Sequence, residues 1–253
     1  MLQEFIELNV FAFFMIFARV GTAMALLPGF SAAYVPIRAR LGIGLALTFV
    51  MVPALFDRLP TMPVAPFALA LLIMGEVLIG GFMASLARIM MSALQVAGTA
   101  ISYFSSMANA LIQDPISEQQ SSTVAGFLTT TGLVAIFAAD LHHVMIRSLV
   151  ESYALFEPGR MPLIGDMTMS MARRVADAFA LGLQLSAPFL LVALTYYIGL
   201  GLLGRLMPTL QVFFFGLPFQ LAVQLWMLTI TVTGILLVFL REFSETYLPY
   251  VGG

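Results

Sequence analysis

The sequence predicts an all-α, membrane-associated protein, and three observations carry that prediction. The first is composition: 61% of the 253 residues are hydrophobic and 9% are charged, with a mean hydropathy of +1.02. A soluble domain has about 45–50% apolar and about 25% charged residues. So few charges cannot cover a water-facing surface of this length, so the apolar excess must face lipid, partner helices or both. The second is that charges are missing from stretches long enough for spanning helices, which need about 20 mostly apolar residues. The third is that no strand-like alternation and no internal repeat appears, so the chain reads as a single domain over residues 1–253.

There are about six hydrophobic regions. Leu8 to Pro28 is apolar except for Arg19, and Leu41 to Phe56 is uncharged, with Pro53 expected to end its helix early. Leu59 to Met107 carries only Glu76 and Arg88. Gln119–Ala139, Ala178–Gly204 and Leu206–Leu240 are 21, 27 and 35 uncharged residues, the last interrupted by Pro208, Gly216 and Pro218. Several regions are long enough to hold a bend. Between them lie Ser31–Arg40, the proline-rich Asp57–Pro66, the polar Ser105–Ser122 and the Pro/Gly-rich Glu157–Asp166. The only early charges are Glu4 and Glu7, not the positive start of a secretory signal, so the first apolar stretch is read as retained. Arg38 and Arg40, and again Arg147, Arg160, Arg173 and Arg174, suggest cytoplasmic connections.

Several function classes lose support. A net charge of −2 leaves no basic footprint for nucleic acid. The absence of Cys excludes disulfides, thiolate metal sites and a cysteine nucleophile. No P-loop, nucleophile elbow, catalytic carboxylate pair or H-E-x-x-H occurs, so there is no positive case for an enzyme or a cofactor. Gly199, Gly201 and Gly204 spell G-x-G-x-x-G inside an apolar run rather than after a strand, which points to close helix packing instead of a dinucleotide. His142 and His143 are adjacent and diverge by about 100° on a helix, whereas helical metal sites prefer spacings of three or four. They read as structural or interfacial. The methionines Met83, Met90, Met91 and Met107 suit core packing, or a deformable seal.

Three features remain as candidates. Arg19 and Glu76 lie inside apolar stretches, where an ionisable group needs a partner or a wet cavity. They are read as a buried inter-helix pair or as a proton relay or channel lining. Gly216 and Pro218 predict a fixed bend or hinge, because Pro218 lacks an N–H and disfavours helix at Leu217. The polar segment 105–122 lies between strongly apolar regions, with a turn signal at Asp114-Pro115.

The residues resemble the FliR-like export-gate family, the R/T subunits of flagellar and virulence type III secretion. Four segments carry the resemblance: Phe17-Ala18-Arg19 to Pro28-Gly29-Phe30, with Val35 to Arg40 and Pro53; Gly98 through Asp114-Pro115; His142 to Ile146 leading to Ser152-Tyr153; and Gly204 to Pro208 through Gly216-Leu217-Pro218. The flagellar branch is the more similar. The resemblance implies long bent helical hairpins wrapped around a channel, with a P-like portion joined to a Q-like portion and part of the protein above the bilayer plane. It implies FliP-like and FliQ-like partner subunits, FlhB-like and FlhA-like export components, membrane lipid, and unfolded flagellar proteins as cargo. The location implied is the bacterial inner membrane at the flagellar basal body. It also implies a channel plug in the loop holding Ser105, Ser106, Met107, Asn109, Leu111, Ile112, Asp114, Pro115 and Glu118. Two alternatives stand beside this: a small-molecule secondary transporter using Arg19, Glu76 and the Gly/Pro breaks at a midplane site, and an intramembrane enzyme, which would need a convergent catalytic pair.

Overall fold

Each apolar region becomes helix, because a backbone surrounded by apolar groups must satisfy its own hydrogen bonds. The structure, a computed structural model, describes residues 2–107, 122–207 and 212–250. Among these are α1 (Leu2–Leu26), α2 (Ile37–Leu55), α3 (Pro66–Phe104), α4 (Thr123–Ala138), α5 (Leu141–Leu155), α6 (Ile164–Leu206) and α7 (Val212–Tyr247), with 3₁₀ turns at Phe56–Arg58 and Leu248–Tyr250. No strand occurs among the described residues.

The punctuation acts where its chemistry requires. α1 stops before Pro28-Gly29, and Gly29 takes φ 85°, a left-handed conformation that only glycine adopts freely. Arg40 then reaches back, donating from Nε to the Phe30 carbonyl at 3.0 Å and from Nη2 to the Ala32 carbonyl at 3.3 Å. Pro66 opens α3 at the position where a missing N–H costs nothing. Two expectations change. α2 passes through Pro53 and ends at Leu55, because a proline this near the helix end removes one hydrogen bond and leaves little helix beyond it to disrupt. Arg38 and Arg40 belong to α2 rather than to the connection before it.

Three of the helices are long. α3, α6 and α7 contain 39, 43 and 36 residues, or about 59, 65 and 54 Å at 1.5 Å per residue. α6 continues past Pro188. Among the described residues, four helices are long and apolar enough to cross a membrane: Ile37–Arg58, Pro66–Phe104, Ile164–Leu206 and Gly216–Tyr250. α4 and α5 pass that test together, as a bent pair, for a possible fifth crossing. The six apolar regions therefore give four or five candidate spans.

The chain forms two compact units that interleave in sequence. The first comprises Met1–Met90, Phe137–Val175 and Phe243–Gly253. Its core is Met15, Ile16, Val20 and Met24 of α1, Ile79 and Leu86 of α3, Tyr153 of α5, and Phe243 and Tyr247 at the end of α7. The Tyr247 hydroxyl donates to the Met83 carbonyl at 3.1 Å, so its polar end is satisfied as its ring is buried. The second unit comprises Met91–Ile136 and Ala176–Glu242. Leu94, Leu128, Phe189 and Phe239 fill its core. Small residues set its closest approaches: a Cβ at Gly98 would overlap the Ala125 backbone, and one at Gly182 would lie 2.8 Å from the Ala93 carbonyl. The glycines of the G-x-G-x-x-G run do not play that part. A Cβ at Gly199, Gly201 or Gly204 would meet open space.

Candidate functional site

The first unit is built around Arg19. α1 and α3 cross with Gly80 against the Arg19 backbone, so closely that a Cβ at Gly80 would overlap the Arg19 carbonyl oxygen. Glu76 lies one turn before Gly80 on α3, so the same crossing carries its carboxylate to the guanidinium. Arg19 Nε donates to Glu76 Oε2 at 2.7 Å, with both side chains buried. The last turn of α5 supplies the rest. Nη1 donates to Ser152 Oγ at 3.1 Å, and Nη2 to the Phe156 carbonyl, just past the helix end, at 3.0 Å. The ring of Tyr153 lies 3.8 Å from the guanidinium carbon, in cation–π geometry. Its hydroxyl is buried without a hydrogen-bond partner among the described residues, so its face rather than its hydroxyl serves Arg19. Every guanidinium nitrogen thus has an acceptor within the protein. The arrangement welds α1, α3 and α5 together and buries the guanidinium completely.

Sequence reasoning found Arg19 and Glu76 because they are isolated charges in apolar runs. It gave no role to Ser152, Tyr153, the Phe156 carbonyl or Gly80; Ser152 and Tyr153 stood only among the residues that carry the family resemblance.

The second unit holds both edges of the polar segment. Ser105, Ser106 and Met107 are described; Asn109, Leu111, Ile112, Asp114, Pro115 and Glu118 lie outside the described residues. On the near side, Ser105 Oγ donates back to the Ile101 carbonyl at 2.8 Å, and Ser106 takes φ 60°. The Ser106 hydroxyl bonds Tyr197 Oη at 2.9 Å. The buried Gln220 donates from Nε2 to the Phe104 carbonyl at 2.8 Å and to Tyr197 Oη at 3.2 Å. On the far side, the buried Ser122 hydroxyl bonds the Ser102 hydroxyl and donates to the Gly98 carbonyl at 3.3 Å. It also accepts from the Ala125 N–H at 3.3 Å, which caps α4. The end of α3 is therefore tied to α6 and α7, and the start of α4 to α3, at the two edges of residues 108–121.

Gly216 and Pro218 lie within the first two turns of α7, which continues through both. Gly216 is a packing point: its carbonyl accepts from Tyr196 Oη at 2.5 Å, and a Cβ there would lie 2.9 Å from Leu200 Cδ2. Pro218 is exposed. Gly216→Leu should therefore destabilise the detergent-solubilised protein by about 1–3 kcal/mol through overpacking, while Pro218→Ala, which restores a backbone donor, should leave the thermal midpoint unchanged or raised. Equal damage from both would make the proline itself a required hinge element.

The family model for bacterial export proteins, family 1, matches residues 10–246. The chain belongs to that family. It is 33% identical over 237 residues to the flagellar biosynthetic protein FliR of Caulobacter vibrioides, covering 94% of each chain. It is 27% identical to FliR of Bacillus subtilis, covering 93% of this chain and 91% of that one. It is 24% identical to the Yop proteins translocation protein T of Yersinia pestis, covering 91% and 89%. The matched span includes both the Arg19 cluster and the tethered segment. The chain is a membrane protein of type III export, and its resemblance to the R/T subunits holds over nearly its whole length.

Proposed function

We propose that this chain is a non-enzymatic channel subunit of a flagellar export gate in the bacterial inner membrane, at the basal body. The carrying observation is the outward apolar surface of a chain from an export family. Only 17% of the best spanning window in α7 is buried, and 22% of that in α2. Phe49, Leu191, Trp226 and Leu237 are exposed. Surface of this kind calls for lipid and for partner helices. FliP-like and FliQ-like subunits are the proposed partners, with P-like and Q-like portions of this chain beside them, and FlhB-like and FlhA-like components nearby. Unfolded flagellar proteins are the cargo. Helices of about 54–65 Å are about twice the roughly 30 Å hydrocarbon core, which supports a position partly above the bilayer plane.

Residues 105–122 form the plug in this reading. The support is local: the polar segment leaves and returns through two edges locked by Ser102, Ser122, Ser106 and Gln220. A tethered segment can move aside without being lost from the pore. Closure must be favoured over opening by only a few kcal/mol for cargo to shift it. Deleting Asn109 to Glu118 should leave a gate that co-purifies with its partners yet leaks small solutes, read as conductance or solute uptake in cells expressing the whole gate. An assembled deletion gate as tight as the wild type would reject the plug. Failure to co-purify with P-like and Q-like subunits would reject the gate itself.

A further inference from the structure

Adjacent histidines diverge on a regular helix, which from sequence argues against a metal at His142 and His143. The structure removes that objection. α5 begins at Leu141, so both histidines sit in its first turn, and Asp140 just before them takes a left-handed conformation at φ 57°. Asp and Asn are the non-glycine residues that tolerate this best. The two imidazole centroids lie 4.0 Å apart. Asp140 Oδ1 is 3.5 Å from His143 Nδ1. One ligand atom from each of Asp140, His142 and His143 falls within 4.8 Å of the others.

We propose that Asp140, His142 and His143 bind a divalent transition-metal ion of the zinc class. Two imidazoles and one carboxylate form a donor set that zinc accepts, with a fourth position left for water. Imidazole favours zinc, copper and nickel over magnesium or calcium. Metal–ligand distances of about 2.0–2.2 Å require donor atoms within roughly 4 Å of one another. The closure needed is below about 1 Å and lies within reach of side-chain rotation, since Asp140 and His143 are exposed. His142 supplies an independent observation. Its ring stacks on Phe137 at a centroid distance of 4.9 Å, yet Nδ1 is buried with no hydrogen-bond partner among the described residues. A histidine kept only for packing would leave that polar atom uncompensated; a metal-binding ring has a reason to be there. The bound ion would fix the left-handed turn at Asp140, where neither glycine nor proline sets the backbone.

The chain has only these two histidines and no cysteine, so imidazole-dependent zinc binding has one place to occur. The test uses the full chain, purified in detergent through a histidine-free tag and titrated with zinc chloride alone. Expected is saturable binding of one zinc per chain, retained through gel filtration, with a raised thermal midpoint. Asp140→Asn and His143→Ala should each weaken binding at least about tenfold. Those side chains are 78% and 71% exposed, so the variants should melt as wild type does without zinc. If Asp140→Asn upsets the turn, His143→Gln carries the comparison alone. Absence of saturable binding to the wild type, or equally tight binding by the histidine variants, overturns the site.

Discussion

Replacing Glu76 by leucine should destabilise the protein by about 3–5 kcal/mol, and replacing Arg19 in the same chain should recover most of that loss. Glu76→Leu leaves a guanidinium with no exposure and no counter-charge in an apolar interior, and an uncompensated buried ion is among the costliest defects a fold can carry. Arg19→Leu with Glu76→Leu removes the charge altogether. What remains is a Phe156 carbonyl without its Nη2 donor, worth about 1–3 kcal/mol where it is buried. Ser152 keeps its bond to the Leu149 carbonyl. Thermal melts in detergent and steady-state levels in membranes report the ordering, in which the single variant is far below the double. Single and double variants of equal stability would mean that the pair does not hold α1 to α3. Export adds a separate question. A well-folded double variant that still supports swimming assigns the pair to structure alone, whereas one that folds but cannot swim gives the charges a part in transport.

The neighbouring glycines should respond in opposite ways. Gly80→Ala drives a methyl group into the Arg19 backbone, which cannot yield as a flexible side chain would. The expected cost is about 3 kcal/mol or more, the upper end of overpacking, since the displaced helix also takes Glu76 out of reach. One residue on, a Cβ at Gly81 would meet Leu26 Cδ1 at 3.9 Å and Thr22 Cγ2 at 4.0 Å, both ordinary contacts. Gly81→Ala should therefore be tolerated, or stabilise by about 0.5–1 kcal/mol through its helix preference. Membrane levels and melting temperatures of the two variants separate them. Similar behaviour would show that the crossing is looser than Gly80 implies.

Much of this architecture was legible in the sequence, for identifiable reasons. Apolar runs and their Pro/Gly punctuation located the helices, with Pro28-Gly29, Pro66 and Pro158-Gly159 near their ends. The end of α4 was legible in the uncharged run that stops at Ala139, but α5 was not, because Asp140 turns the chain without glycine or proline and the charged stretch after it has no long apolar run. The unbroken course of α3 and α6 was not legible either, since run length alone cannot separate a bent helix from an overlong one. At the site, Arg19 and Glu76 stood out as charges where charges are costly. The Phe156 carbonyl could not, because a backbone acceptor depends on where α5 ends rather than on side-chain identity. The glycines Gly199, Gly201 and Gly204 mislead for a related reason: a small residue permits close packing but does not say whether a neighbour is there.

The wiring of Arg19 also constrains the order in which the protein can be made. Its acceptors lie 57, 133 and 137 residues further along the chain. Until Glu76 has been made, α1 is an apolar helix with an unmatched cation, a group that costs about 2.5–3.5 kcal/mol at the centre of an inserting helix, and the acceptors on α5 follow only later. α1 is thus a poor candidate for early release into lipid as a finished span. Its full set of bonds is complete only when α3 and then α5 have been made.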